Sequence, residues 1–308
     1  MTRAVVFAYH NVGVRCLKVL LARGVTVPLV ITHADDPAEA QWFESVAGTA
    51  ADYGIEAITP TDPNAQPTLN AVAACRPDLI FSFYYRQLLK SPMLAIPALG
   101  ALNMHGSLLP KYRGRVPVNW AIIHGETLTG ASLHYMTSKP DDGDVVAQTA
   151  VPILPDDTAA EVFAKVTVAA EKTLYDVLPA LIAGTAPRIA QDPKQATYFG
   201  GRKPEDGRID WSASASVVHN LVRAVAPPYP GAHTQILGRP ARILRTRVAD
   251  PSSPGTLTPS LIVRDGTMLA HCGGGGTLAI LELELEGKAV SAGTLWSRLD
   301  GRPAPLGL

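Results

Sequence analysis

Residues 100–117 read GALNMHGSLLPKYRGRVP. The first six, Gly100–His105, form an apolar run interrupted by polar side chains at Asn103 and His105. These two are two positions apart, so on a strand their side chains share a face. A loop rich in glycine and proline follows at once. A buried strand that ends in such a loop is how a doubly wound sheet opens its carboxyl edge to a ligand.

Working towards the N-terminus, apolar runs alternate with helical periodicity. Residues 78–83 (DLIFSF) read as a strand buried on both faces, and 67–75 as a helix. Residues 56–59 are a weaker strand. Asp36 followed by Pro37 predicts a capped helix running to about Tyr53. Residues 27–31 and 4–8 (AVVFA) are further strands, separated by a helix that ends at Gly24. Towards the C-terminus come a helix at 117–124, strands at 131–135 and 144–151 around the turn KPDDGD, and a long helix at 159–183 capped by Thr158. The predicted fold class is α/β: a doubly wound, mainly parallel, Rossmann-like sheet.

The pattern changes after Gly184. A helix at 214–224 leads into short strands at 232–237, 241–248, 261–264 and 278–286, with Gly273–Gly276 read as a hairpin turn. This predicts a smaller β-barrel of the OB type. The expected organisation is a catalytic domain over 1–190, a linker over 191–207 and a barrel over 208–308.

Composition narrows the function. The 308 residues hold 27 basic and 27 acidic side chains, for a net charge of zero, which argues against a general nucleic-acid or anionic-membrane binder. Three cysteines with no C-x-x-C pair exclude a disulfide scaffold. The start has no signal-peptide pattern and no run has the length of a membrane helix, so the expected location is cytoplasmic, without membrane insertion. The turn after the first strand, YHNVGVR, has one glycine, so no NAD site of the G-x-G-x-x-G type is expected. No P-loop, zinc-hydrolase spacing or G-x-S-x-G elbow occurs, and no metal site is expected.

An amide and an imidazole on one strand face can serve acyl transfer, the amide holding an oxyanion and the imidazole moving a proton. They can equally be the polar end of a strand. Asp141-Asp142-Gly143 can supply a carboxylate to that imidazole, or be an ordinary turn.

The sequence NMHGSLLPKYRGRVPVNWAIIHGE, followed by a turn with Asp141 and Gly143, resembles the folate-dependent formyltransferases. The stretches VVFAYHNVG, FSFYYRQLL, YFGGRKPEDGRIDW and VHNLVRAVAPPYPGA extend the resemblance over nearly the whole chain. They look most like the formyltransferase part of the bifunctional polymyxin-resistance enzyme, which formylates UDP-4-amino-4-deoxy-L-arabinose for lipid A modification. That enzyme also carries an oxidative-decarboxylase module, which this sequence does not include; the resemblance implies that another protein supplies that activity.

The resemblance implies N10-formyltetrahydrofolate as formyl donor and a nucleotide-linked amino sugar as acceptor, with no nucleic-acid partner. It implies catalytic roles for Asn103 (oxyanion donor), His105 (base) and Asp141 (carboxylate that strengthens the base). It implies folate contacts at Gln87, Leu88, Leu89, Arg115 and the turn Thr137, Ser138, Lys139, Pro140, Asp141. The leucines can instead fill the core, and Lys111, Arg113 and Arg115 can be a solvated basic loop. His10 and Asn11 are candidates for the sugar pocket or for capping a helix. Arg202, Lys203 and Arg223 are candidates for the nucleotide phosphates, or surface charges. Two rival acceptors are another nucleotide-linked amino sugar and methionyl-tRNA. Residues 33–45 weigh against tRNA, because Asp35, Asp36, Glu39 and Glu44 stand there with no Lys or Arg. The oligomeric state is left open.

Overall fold

The computed structural model describes residues 2–34 and 41–307. Asp35, Asp36, Pro37 and Glu39, on which the expected helix cap and most of the acidic stretch rest, lie outside the described residues. The chain divides into two compact units. The first holds Met1–Pro117, Leu128–Pro152 and Phe163–Gly200; the second holds Val118–Thr127, Ile153–Val162 and Gly201–Leu308.

The elements of the first part, in chain order, are β1 (Arg3–Ala8), α1 (His10–Ala22), β2 (Thr26–Ile31), α2 (Val46–Asp52), β3 (Glu56–Ile58), α3 (Gln66–Ala74), β4 (Leu79–Phe83), α4 (Ser91–Leu94), β5 (Gly100–His105), β6 (Arg113–Gly114), α5 (Pro117–Ile123), β7 (Leu128–Tyr135), β8 (Val145–Pro152), α6 (Ala159–Ile182) and β9 (Tyr198–Phe199). The main sheet has the order β3-β2-β1-β4-β5-β7-β8. From β3 to β5 the pairing is parallel; β7 and β8 run antiparallel at one edge. The order reverses between β1 and β4, so the carboxyl ends of β1, β4 and β5 border the crevice where such sheets bind ligands.

The reason for this sheet is burial. Every residue of β4 is buried, and Phe7, Phe81 and Phe83 have no exposed surface. Helix α6 is capped as expected: the Thr158 amide and hydroxyl both donate to Glu161, at 2.7 and 2.8 Å. Its apolar stripe, including Val166, Ala170 and Leu174, is buried, and Thr173 donates to Thr149 of β8 at 2.6 Å.

One helix starts later than its sequence predicts. Among the described residues α2 begins at Val46, capped by Ser45, and residues 41–45 are not helical. Tertiary contacts take precedence there. Trp42 and Phe43 pack around the His10 ring, and the Glu44 amide donates to Asn11 Oδ1 at 2.8 Å rather than to a helical carbonyl. Elements absent from the sequence reading are α4, β6 and β9; the last pairs with β6 inside the expected linker.

The second unit carries α7 (Ala215–Ala224), β10 (Ala232–Ile236), β11 (Arg239–Asp250), β12 (Ser260–Arg264), β13 (Thr267–His271), β14 (Thr277–Leu285), β15 (Lys288–Ala289), α8 (Ala292–Arg298) and β16 (Ala304–Pro305). Its antiparallel sheet runs β10-β11-β14-β13-β12-β16, with β15 on β14. This is a half-barrel, the architecture that the short strands predict; β13, β15, β16 and α8 add to the strands and helix read from the sequence. The glycine run makes the hairpin turn between β13 and β14, as expected. It is also held in place: the Gly273 and Gly274 amides donate to the carbonyls of Trp211 and Ala213.

A Phe81→Ala change empties the centre of the first sheet and is expected to destabilise that unit by about 3–5 kcal/mol. Urea denaturation followed by circular dichroism checks this; a loss below about 1 kcal/mol would show that Phe81 is not a keystone of the core.

Candidate active site

Antiparallel pairing of β5 with β7 builds the site. The register sets Asn103 opposite His134 and His105 opposite Ser132. β7 shifts register against β8 between Leu133 and His134, an irregularity of the kind that re-aims side chains at functional sites. After β7 the chain turns back through residues 137–143, and this turn delivers Asp141.

Asn103, His105 and Asp141 do come together. Asn103 Nδ2 donates to Asp141 Oδ1 at 3.3 Å, and His105 Nδ1 lies 3.5 Å from the same oxygen. His105 Nε2 donates to the Tyr112 carbonyl at 2.7 Å, which leaves Nδ1 as the nitrogen free to accept a proton. The Gly114 amide donates to Asp141 Oδ2 at 2.8 Å. The three side chains are largely or wholly buried, with 7% of His105 and 12% of Asp141 exposed.

A fourth member is His134, which the sequence reading missed. It is buried, its Nδ1 donates to the Tyr135 carbonyl at 2.9 Å, and its Nε2 lies 3.2 Å from Asn103 Nδ2 and 3.4 Å from Asp141 Oδ1. Neutral, it accepts from the Asn103 amide; protonated, it donates to the carboxylate. The one signal for it in the sequence is a histidine in an otherwise apolar strand, LTGASLHY.

Electrostatics favour an ionised Asp141. Burial alone would raise its titration point, but the charge of His105, the hydrogen bond and charge of His134 and the Gly114 amide together hold it well below the usual carboxylate range. Asp141 itself has φ 53°, a left-handed conformation that aspartate tolerates. The turn also requires glycine at 143, where a Cβ would stand 2.0 Å from the Tyr135 carbonyl oxygen.

The loop after β5 is tied to β7. Ser132 Oγ donates to the Ser107 carbonyl at 2.5 Å and accepts from the Leu109 amide at 3.1 Å and from Gln148 Nε2 at 2.7 Å. Arg113, one of three basic loop residues in the sequence, is not solvated: it is 2% exposed, and its guanidinium meets Asp142, the Gln191 side-chain oxygen and the Tyr198 hydroxyl.

The other candidates divide. Gln87 is exposed and its side chain donates to the Thr61 carbonyl at 3.1 Å. Leu88 is 69% exposed, and its carbonyl accepts from Asn64. The Leu89 side chain belongs to the core with Phe7, Ile31 and Met93. Arg115 has an exposed side chain, and its amide donates to the Phe199 carbonyl. Thr137 and Lys139 form a local hydroxyl turn, and Ser138, Lys139 and Pro140 are exposed beside Asp141. His10 sits in an aromatic cluster with Trp42, Phe43 and Phe163. Asn11 lies within α1, whose N-cap is Tyr9, and its Oδ1 accepts from the Glu44 amide at 2.8 Å.

Arg202, Lys203 and Arg223 belong to the second unit. Arg223 is buried and holds the Leu154 and Asp157 carbonyls and Asn220, so its place is structural rather than at a phosphate. Arg202 is half-buried, which lowers its titration point, with Asp206 and Tyr229 nearby. Lys203 is exposed, and its amide donates to Asp206 at 2.6 Å. Among the described residues no group of side chains could hold a metal ion, and no helix is long and apolar enough to cross a membrane.

The parallel-rich sheet thus carries an amide, an imidazole and a carboxylate together at the carboxyl end of β5. Residues 9–178 match the formyl transferase family, and residues 202–299 match its C-terminal domain. The chain belongs to the formyl transferase family and is an enzyme of that class. Its fold is that of an N-formyltransferase from Helicobacter canadensis, solved with folinic acid and dTDP-3-aminofucose: 19% identity, TM-score 0.72, covering 91% of this chain and 99% of that one. A sugar 3N-formyl transferase, WlaRD, solved with dTDP and 5-N-formyl-THF, is 18% identical with TM-score 0.71 over 94% of this chain and 99% of that chain. HypX from Aquifex aeolicus, solved with tetrahydrofolic acid, is 19% identical with TM-score 0.63 and covers 97% of this chain and 48% of that one.

Because Asp141 titrates below its unfolded value, its stabilising contribution is present above that value, near ~3.9, and is lost as pH falls through the folded value. The stability difference between wild type and Asp141→Asn is therefore expected to be full at about pH 5 and smaller at about pH 3. Urea midpoints at both pH values check this, and a difference that grows on acidification would contradict an ionised, stabilised Asp141.

Proposed function

We propose that this enzyme transfers the formyl group of N10-formyltetrahydrofolate to the 4-amino group of a UDP-linked amino sugar, and that this sugar is UDP-4-amino-4-deoxy-L-arabinose. The observation that carries the reading is the Asn103–His105–Asp141 cluster at the carboxyl end of β5, with Asp141 Oδ1 3.3 Å from the amide and 3.5 Å from the imidazole.

In this reaction the sugar amine attacks the formyl carbon. Charge develops on the formyl oxygen, and Asn103 donates to it. Its resting bond to Asp141 is long, at 3.3 Å, so a full oxyanion outcompetes it for that hydrogen. His105 takes the amine proton at Nδ1, facing Asp141, and returns it to N10 as the carbon–nitrogen bond of the donor breaks. One oxyanion donor is worth ~3 kcal/mol, and proton transfer by a placed base ~10²–10⁴-fold. Gln87, Leu88, Leu89, Arg115 and the 137–141 turn are the proposed folate contacts. The exposed apolar side chain of Leu88 supports this, since an aromatic ring system laid on it would remove both surfaces from water.

Two features support a nucleotide sugar as acceptor. Two solved neighbours of this fold were determined with dTDP-3-aminofucose or in the presence of dTDP. The zero net charge and the four carboxylates of residues 33–45 oppose an RNA backbone. The choice of UDP and of the 4-amino pentose rests on the sequence resemblance, which extends from residue 5 to beyond residue 225. With it goes a role in lipid A modification in the cytoplasm.

Incubation with N10-formyltetrahydrofolate and a panel of UDP-, dTDP- and GDP-linked amino sugars plus methionyl-tRNA, read by mass spectrometry, is expected to show one formyl group on the UDP-linked 4-amino sugar. Preferential formylation of methionyl-tRNA, falling steeply with salt, would replace this acceptor. Asn103→Ala, His105→Ala and Asp141→Ala are each expected to lower kcat by on the order of 100-fold or more with folding retained, and their combined loss should fall short of the sum. Unchanged kcat in all three would remove the cluster from the mechanism.

A further inference from the structure

The sequence between the two domain patterns reads as a linker, yet residues 191–199 belong to the first unit and close on the catalytic turn. Gln191 is the centre of this contact. Its Nε2 donates to the Asp141 carbonyl at 2.9 Å and to the Gly143 carbonyl at 2.7 Å. Its Oε1 accepts from Arg113 Nε at 3.1 Å and from an Arg113 terminal nitrogen at 2.8 Å. Both hydrogens and the oxygen of the carboxamide are thus in use. Arg113 also meets the Asp142 carboxylate, so the backbone of 141 and 143 and the side chain of 142 are all held from one side.

The rest of the segment fixes the loop that carries Arg113. The Tyr112 amide donates to Thr197 Oγ1 at 2.8 Å, and the Arg113 and Arg115 amides donate to the Thr197 and Phe199 carbonyls, both at 2.9 Å. The Tyr198 hydroxyl accepts from Arg113 at 2.7 Å, and Phe199 stacks on Tyr112. Approach is close enough that a Cβ at Gly114 would meet the Phe199 carbonyl oxygen at 2.2 Å. Two atoms in this loop touch the catalytic cluster directly: the Tyr112 carbonyl binds His105 Nε2, and the Gly114 amide binds Asp141 Oδ2.

We propose that residues 191–199 form a strap that sets the position of Asp141 and of the loop facing His105, with Gln191 as the positioning residue. The physical case is that Asp141 stands in a left-handed backbone conformation, in a turn whose carbonyls 141 and 143 need donors. The Gln191 amide donates to both. Without it the turn relaxes and the carboxylate leaves the geometry that Asn103 and His105 require. A displacement of about 1 Å at such a site costs on the order of 100-fold in rate.

The inference rests on the formyl-transfer reading for its kinetic consequence, and the test therefore has a second arm that needs no activity. Gln191→Glu keeps the shape and the Arg113 contacts but turns an acceptor oxygen towards two carbonyls; Gln191→Ala removes both sets of bonds. Gln195→Ala, a neighbour whose side chain bonds Asp192 at 3.0 Å, is the control. The expected result in both Gln191 variants is a kcat lower by about 10- to 100-fold with the two KM values within about threefold. Hydrogen exchange at the Gly114 amide should accelerate while the β5–β7 ladder amides stay as in wild type. The control should match wild type in both arms. If kcat and Gly114 exchange are both unchanged in the Gln191 variants, the strap proposal is overturned. If the wild type transfers no formyl group to any acceptor, the functional reading fails, and Gly114 exchange alone decides the strap. If Gln191→Ala does not fold, the isosteric Gln191→Glu carries the same two readings.

Discussion

A single ionised carboxylate, that of Asp141, has neighbours from three separate stretches of chain. Asn103 and His105 come from β5, His134 from β7 and the Gly114 amide from the loop after β5. A buried charge is tolerated only when it is paired and hydrogen-bonded. Each of those neighbours is therefore a requirement for keeping Asp141 charged where it is. The same neighbours are the groups to which the proposed mechanism gives roles, so in that reading stability and chemistry lean on one set of contacts.

The sheet makes that set possible by a change of direction. Parallel strands from β3 to β5 give a crevice at their carboxyl ends, but they present only one strand's polar end there. Reversal at β7 sets a second strand beside β5 in antiparallel register, so that His134 stands across from Asn103. The turn that leaves β7 can then reach back over the same spot. β7 itself ends beside the first half of β5, where Tyr135 pairs with Leu102, and the turn after it brings Asp141 back to Asn103 and His105.

In the resting arrangement the cluster's polar groups are engaged with one another and with the backbone. Asn103 spends its amide hydrogens on Asp141 and, when His134 is neutral, on that ring. His105 spends one nitrogen on the Tyr112 carbonyl. Of these hydrogen bonds the one from Asn103 to Asp141 is the longest, at 3.3 Å.

Much of this was readable from residues alone. The two-residue spacing of Asn103 and His105 fixes their common face, because strand periodicity is a local property. The apolar runs of β1, β2, β4 and β5, the caps at Thr158 and Gly184, and the glycine-run hairpin are local as well. The match of NMHGSLLPKYRG to a family supplied Asp141, 36 residues beyond His105, where spacing could not. Other features had no local signature. Helix α2 starts at Val46 because Trp42, Phe43 and Glu44 bind distant partners. Arg113 read as a solvated cation because its partners, Asp142, Gln191 and Tyr198, lie 29 to 85 positions away. His134 and Gln191 are ordinary residues of a strand and of a polar stretch until the register of β5 with β7 and the return of the chain at 191–199 bring them to Asp141. Sequence determined the main strands and helices and which strand end carries Asn103 and His105, because periodicity and capping act over a few residues. Tertiary structure decided which polar groups share the buried carboxylate, because that depends on pairing between strands and loops far apart in the chain.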